Sequence, residues 1–415
     1  MLTETQIATL HEGIARFAAC DWRARDIWLD AARAAARQAD CQLASGMIAV
    51  QAAALGMTSD DCGALAAAHT RYVAGLGHPS QYPPAPRLKR DRLRIGYMGA
   101  CFDDPRAASL TAATITAHDH SRHEIIAYGL TPGPGGAPRE GIESAADHFR
   151  DIAHLAAHEI AGLMRCDDLD ILIDLAAYTP DAHAAIHLYG PARVTLRMAR
   201  GQPPAPLVPR WRTQARTDAP RDPALRPLPE DAVVLACFNR QFKIEPEVFG
   251  AWMRILAAAP QAYLWLTGDA RSNGQLRAAA ASAGISPQRL LFAMPLPLDA
   301  HLARCAQADL HLDTWHCGGH LSLLQALSAG VPVLALAGAG KAMLDDAGLA
   351  DLVAASATDY LARAIGLCAS RDNRDALRSR VSDAFAAPAC ERRFGQYVRN
   401  LEDRCSRAWA GASSA

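Results

Sequence analysis

The sequence predicts an α/β chain in which two Rossmann-like halves face a cleft, preceded by an all-helical region. Three observations predict it. Short apolar runs alternate with helical stretches between residues 93 and 174, and again between 232 and 336. Such alternation marks βαβ units, a parallel sheet with helices on both faces. A stretch crowded with Pro and Arg, 191–227, parts the two alternating runs. At 415 residues, the chain has room for two or three domains of roughly 100–200 residues each.

The first 85 residues read as helical. Residues 29–54 are alanine-rich, with no Gly or Pro before Gly46, and Thr58, Ser59, Asp60 and Asp61 supply cap residues for a helix over 60–75. Pro79, Pro83, Pro84 and Pro86 form a stiff linker. In the first alternating run, strands are expected at 93–98, 124–128 and 170–174, and helices at 107–118 and 158–165. Residues 191–227 show no clear periodicity and read as irregular. The second run predicts strands at 232–237, 262–266, 289–292, 309–313 and 331–336. Helices fall between them at 246–258, 273–284, 298–306 and 319–329, and further helices follow at 357–368, 374–386 and 389–410. The expected division is a helical region at 1–86, a first Rossmann-like domain at 87–227, a second at 228–388 and a C-terminal helix at 389–415.

Composition narrows the function classes. Half the residues are hydrophobic, 20% are charged and the formal net charge is −1. Disorder and a global basic field for nucleic acid are both disfavoured. No secretory signal is visible, and no apolar run approaches the ~20 residues that span a bilayer. The 11 cysteines form no C-x-x-C pair, which disfavours structural zinc and points to the reducing cytoplasm. No P-loop, G-x-G-x-x-G or G-x-S-x-G motif is present.

The strongest local signal is the run from Asp313 to His320, which follows an apolar strand and opens a helix. Gly318 and Gly319 let the backbone approach a ligand, and the free N–H groups of a helix start favour an anion such as a diphosphate. A ligand-free strand-to-helix turn would use the same residues. A second signal places Arg240 and Lys243 just after a strand, where two cations can neutralise a leaving diphosphate. A solvated basic turn is the plainer reading. His118, His120 and His123 lie close in sequence but match no ligand pattern, so a solvated loop is expected there. His183 and His187, four apart on an expected helix face, lack the glutamate of a metalloprotease pattern.

Taken together, these segments resemble the O-linked N-acetylglucosamine transferases. The likeness is carried by 228–234 with 238–246, by 252–256 with 263–266, and by 309–333 across the Gly318-Gly319-His320 turn. In the front half it is carried by 93–98, 146–152 and 171–179, and by Cys20-Asp21-Trp22. The resemblance implies a GT-B fold and inverting transfer of N-acetylglucosamine or a related hexose from a UDP carrier to a protein or peptide side chain. The UDP-sugar is then the donor, and neither metal nor other cofactor is needed. Lys243 matches the lysine supporting the diphosphate, and His320, with Gly318 and Gly319, matches the phosphate loop. His301 matches a histidine near uracil, and His148 one near acceptor and sugar.

The sequence also departs from that family. Pro105 and Ser109 stand where two histidines are usual, leaving Asp103, Asp104 or His148 to serve the acceptor. Arg240 replaces a neutral polar residue, Leu321 a hydroxyl residue and Ser322 a threonine. Gln325 replaces an acidic residue expected at the ribose, where an amide binds without charge assistance. No 34-residue helical repeat is visible. The main expectation is an active glycosyltransferase. A nucleotide-binding or scaffolding subunit that has lost chemistry explains the missing histidines, and a small or asparagine acceptor is a third reading. The alanine-rich helices at both ends fit packing within the chain or against a partner, a second copy or a partner glycosyltransferase.

Overall fold

The computed structural model describes residues 2–38, 46–76, 90–100, 102–131, 136–175, 185–197, 211, 220–336 and 339–413. The expected Pro-rich linker lies outside them.

Four helices come first: α1 (Glu4–Ala18), α2 (Arg25–Ala36), α3 (Gly46–Ala54) and α4 (Ser59–Leu76). Thr3 starts α1 with a capping box. Its hydroxyl accepts from Gln6 N at 3.2 Å, and Gln6 Oε1 accepts from Thr3 N at 2.9 Å. The four helices enclose their own core around Leu10, Phe17, Trp28 and Leu65.

The first half contains β1 (Leu93–Gly99), α5 (Pro105–Thr116), β2 (His123–Gly129), α6 (Ala137–Ala145), β3 (His148–Asp151), α7 (Ala157–Cys166), β4 (Ile171–Asp174) and β5 (Val194–Arg197). The sheet order is β3-β2-β1-β4-β5 and every pairing is parallel. Ile95, Tyr97 and Ile173 face one core, and Met98, Ile126 and Leu172 face the other. This is the period of two expected of a strand buried on both faces.

The second half contains β6 (Val233–Cys237), α8 (Pro246–Ala258), β7 (Ala262–Thr267), α9 (Ala270–Ser282), β8 (Leu290–Ala293), α10 (Leu298–Cys305), β9 (Leu310–Leu312), α11 (His320–Ser328), β10 (Val333–Leu336), α12 (Ala339–Asp346) and β11 (Val353–Ala354). Its sheet runs β11-β10-β9-β6-β7-β8, again parallel. Helices α13 (Ala357–Ala369), α14 (Arg371–Ala384) and α15 (Ala387–Ser413) follow. Helix α15 packs Cys390, Phe394 and Val398 into the second half's core, and Leu401 and Cys405 into the first half's. It therefore clamps the two halves together.

Three expectations need correction. Residues 191–227 are not irregular throughout: 194–197 form β5, the edge strand beside β4. Of 198–219 only Trp211 is described, fully buried in the second half's core. His118 and His123 are not in a solvated loop. They are 5% and 1% exposed, because Glu402 of α15 covers them. Glu402 Oε1 lies 2.9 Å from His118 Nδ1, while His118 Nε2 lies 2.7 Å from Tyr97 Oη. His187 lies in a single 3-10 turn, His187–Tyr189, rather than on a helix face, and His183 is outside the described residues.

Candidate functional site

In each sheet the first strand sits between neighbours that lead away in opposite directions, β1 between β2 and β4, β6 between β7 and β9. Ligands of open α/β sheets bind outside the strands' carboxyl ends at such points. In the second half, Asn239 lies two residues past the end of β6 and Asp313 directly follows β9, polar residues at the carboxyl ends of the strands.

Asp313 is fully buried and organises the turn into α11. Its Oδ1 accepts from Asn239 Nδ2 at 3.1 Å, from Thr314 N at 2.9 Å and from Gly319 N at 2.9 Å. Burial pushes its carboxyl above the ordinary range, while these donors and Lys243 pull it back. Thr314 Oγ1 accepts from Asn239 Nδ2 at 2.9 Å and donates to Cys317 O at 2.7 Å. Ser322 Oγ, with one proton to donate, lies within hydrogen-bond reach of both Asn239 Oδ1 and Gly319 O. A Cβ at Gly319 would collide with Asn239 Oδ1 and Ser322 Oγ, so only glycine fits.

Lys243 reaches this turn from the 3-10 segment Gln241–Lys243, and its Nζ donates to Gly318 O at 3.0 Å. His320 opens α11 nearby. Burial, aided by the Lys243 charge, lowers it to about 4, so its ring is neutral at pH 7. The structure thus gathers Lys243, Gly318, Gly319, His320 and Ser322 at one helix N-terminus, a place suited to an anion.

His301 on α10 packs against Phe238, ring centroids 5.2 Å apart. Burial first, then the Arg304 and Arg106 charges, lower it to about 4. Gln325 is fully buried and faces His301. Leu321 packs at the edge of the second half's core.

The halves meet through Asp104 and Ser109. Asp104 caps α5, accepting from Arg106 N at 2.9 Å, and pairs with Arg106 at 2.8 Å. Arg240, largely exposed, lies 3.7 Å from the same carboxylate. Burial raises Asp104, but the Arg106 hydrogen bond and charge and the helix N–H groups outweigh it, leaving it below the ordinary range. Ser109 Oγ accepts from Trp211 Nε1 at 2.8 Å. Asp103 is exposed in the preceding turn.

The structure does not bring His148 to this group. It opens the edge strand β3, two strands from β1, with Nε2 3.4 Å from Glu124 Oε1. Among the described residues, His118, His123 and Glu402 have metal-competent atoms within 4.8 Å of one another. All three already hydrogen-bond within the protein.

Sequence reasoning missed Glu245, which stands at the N-cap position of α8 without a side-chain capping bond and is 0% exposed. Burial raises its carboxyl to about 8, its Oε1 accepts from Trp315 N at 3.2 Å, and its Oε2 has no partner among the described residues. The N-terminal helices buttress the same loop. Trp22 Nε1 donates to Ile244 O at 3.0 Å, and Arg25 pairs with Glu247 at 2.5 Å.

The family model described as Glycosyl transferase family 41 matches residues 64–205 and 223–394. The chain belongs to glycosyl transferase family 41. Similar proteins include the probable UDP-N-acetylglucosamine–peptide N-acetylglucosaminyltransferase SEC of Arabidopsis thaliana, 26% identical over 396 residues, covering 83% of this chain and 40% of that one. A UDP-N-acetylglucosamine–peptide N-acetylglucosaminyltransferase of Caenorhabditis elegans is 28% identical over 191 residues, 44% of this chain and 16% of that one. The chain thus spans less than half the length of these curated relatives. A mutant O-GlcNAc transferase of Thermobaculum terrenum has the same fold, with a TM-score of 0.67 and 23% identity over 100% of both chains. The fold is GT-B, with a helical N-terminal region.

Proposed function

We propose that this family 41 chain transfers N-acetylglucosamine or a related hexose from a UDP donor to a protein or peptide side chain. The observation that carries the reading is the Lys243 Nζ to Gly318 O contact of 3.0 Å at the start of α11. It sets a cation and a helix N-terminus together where a departing diphosphate needs both. The printed names of the curated relatives, UDP-N-acetylglucosamine–peptide transferases, support the donor and acceptor classes.

In this reading the second half, 228–388, holds the UDP-sugar and the first half, 87–227, holds the acceptor. The N–H groups of α11's first turn, neutral His320 and Lys243 receive the diphosphate. Gln325 and His301 serve the nucleoside, and Arg240, freed from Asp104, adds a second cation. The acceptor oxygen attacks the anomeric carbon opposite the leaving oxygen, inverting it. No disulfide joins any two of the nine described cysteines, which favours a reducing cytoplasm. No described helix is long and apolar enough to cross a membrane.

The test is release of UDP from UDP-N-acetylglucosamine with a pool of Ser/Thr peptides, followed by mass spectrometry of the peptides. A sugar-sized mass gain supports transfer. UDP bound without any turnover favours the nucleotide-binding subunit instead, a reading that the Ser109–Trp211 bond at a usual histidine position favours.

A further inference from the structure

Asp174 closes β4 at the carboxyl end of the first sheet, in register with Met98 of β1. From there β1 runs on into the turn bearing Asp103 and Asp104, and Asp104 reaches Arg240 of the second half. Asp174 therefore stands at the end of the sheet where the two halves meet. Its carboxylate is 3% exposed and lies 2.8 Å from His187 Nε2.

His187 sits in the short turn His187–Tyr189, which packs on α7. Tyr189 lies at a tilt beside His158, ring centroids 6.2 Å apart, and Arg165 Nη1 donates to Gly190 O at 3.5 Å. A carboxylate only accepts, so the proton of this bond belongs to Nε2. Nδ1 is then a bare lone pair. It is buried and has no hydrogen-bond partner among the described residues. A fold seldom leaves such an atom unmet, and a catalytic role is one of the few reasons to do so. A carboxylate orienting one imidazole nitrogen while the other stays unprotonated is the arrangement of a general base.

We propose that His187, oriented by Asp174, takes the acceptor's proton, directly or through one water. This rests on the sugar-transfer reading above and fills a role that Ser109, bonded to Trp211, does not offer. In the step, the acceptor O–H proton passes to Nδ1 as the oxygen bonds to the anomeric carbon. The bond from that carbon to the diphosphate oxygen breaks, and its electron pair leaves with UDP. Asp174 balances the imidazolium until the proton returns to solvent.

The test uses the full chain and UDP-N-acetylglucosamine with water as acceptor. For His187→Ala the turnover number is expected to fall by roughly 10²–10⁴, with UDP affinity unchanged by calorimetry. Nitrogen-15 NMR of the histidine-labelled wild type is expected to place the proton on Nε2 and none on Nδ1, and Asp174→Asn to disturb that tautomer. A protonated Nδ1 overturns the proposal, even if the variants fail to fold. So does an unchanged rate in His187→Ala, or a loss of rate together with UDP affinity. Wild-type protein that binds no UDP sinks the transfer reading itself and takes this step with it. Normal UDP binding with an unchanged His187→Ala rate sinks only the base.

Discussion

Asn239 Nδ2 donates to Asp313 Oδ1 across 3.1 Å, tying the carboxyl end of β6 to that of β9. The same oxygen holds Gly319 N, so the amide–carboxylate pair sets the glycine turn that opens α11. For Asn239→Ala, the buried carboxylate loses a donor, which costs about 1–3 kcal/mol. Urea unfolding should report that loss, and calorimetry should report weaker UDP binding.

Gly319→Ala should be worse for the site than for the fold. The new Cβ meets Asn239 Oδ1 and Ser322 Oγ, so the turn must shift. Overpacking of this kind costs about 1–3 kcal/mol. The expected result is a modest fall in Tm with UDP binding abolished; retained affinity would mean that the turn does not hold the diphosphate.

Glu245 makes stability depend on pH. Its carboxyl titrates near its ordinary 4.5 in the unfolded chain and near 8 in the folded one, chiefly because burial disfavours the charge. The unfolded state therefore binds fewer protons between these values. The stability contributed by the neutral acid is complete below pH 4.5 and is lost as pH rises through about 8. Urea unfolding at several pH values should show wild type losing ground steadily to Glu245→Gln across that window. A constant difference between the two would contradict a buried neutral acid.

The clamp formed by α15 rests on Glu402. Burial opposes its charge, yet the Asp119 N–H and His118 hold its carboxyl below the ordinary range. Breaking a buried pair leaves a polar partner stranded, at a cost of roughly 3–5 kcal/mol. Glu402→Ala should lower Tm by several degrees and speed hydrogen exchange selectively in 398–409 and 93–99. Uniform exchange across the chain would argue against a local clamp.

The parallel sheets were legible because β/α alternation is local, and so was the Asp313–His320 turn, where an apolar strand breaks at polar residues and glycines. The short strands β3 and β11 escaped notice: four and two residues carry too little pattern. β5 was hidden by the prolines and arginines around it. The His118–Glu402 pair spans 284 residues, so no spacing rule reveals it. Lys243 was legible from its place just after a strand, and His301 was found through resemblance, yet the same resemblance gave His148, which the structure sets on an edge strand. Glu245 reads as an ordinary acid before a proline, because its burial depends on Trp315, 70 residues away.

The decisive measurement is calorimetric titration of the full chain with UDP and with UDP-N-acetylglucosamine, repeated on Lys243→Ala. A charged hydrogen bond contributes about 1.5–3 kcal/mol, so the variant should bind roughly 10- to 100-fold more weakly than wild type. Saturable binding that weakens in this way places the diphosphate at the Lys243–Gly318 contact. Wild-type protein that binds neither ligand at millimolar concentration, or a variant that binds as well as wild type, would contradict it.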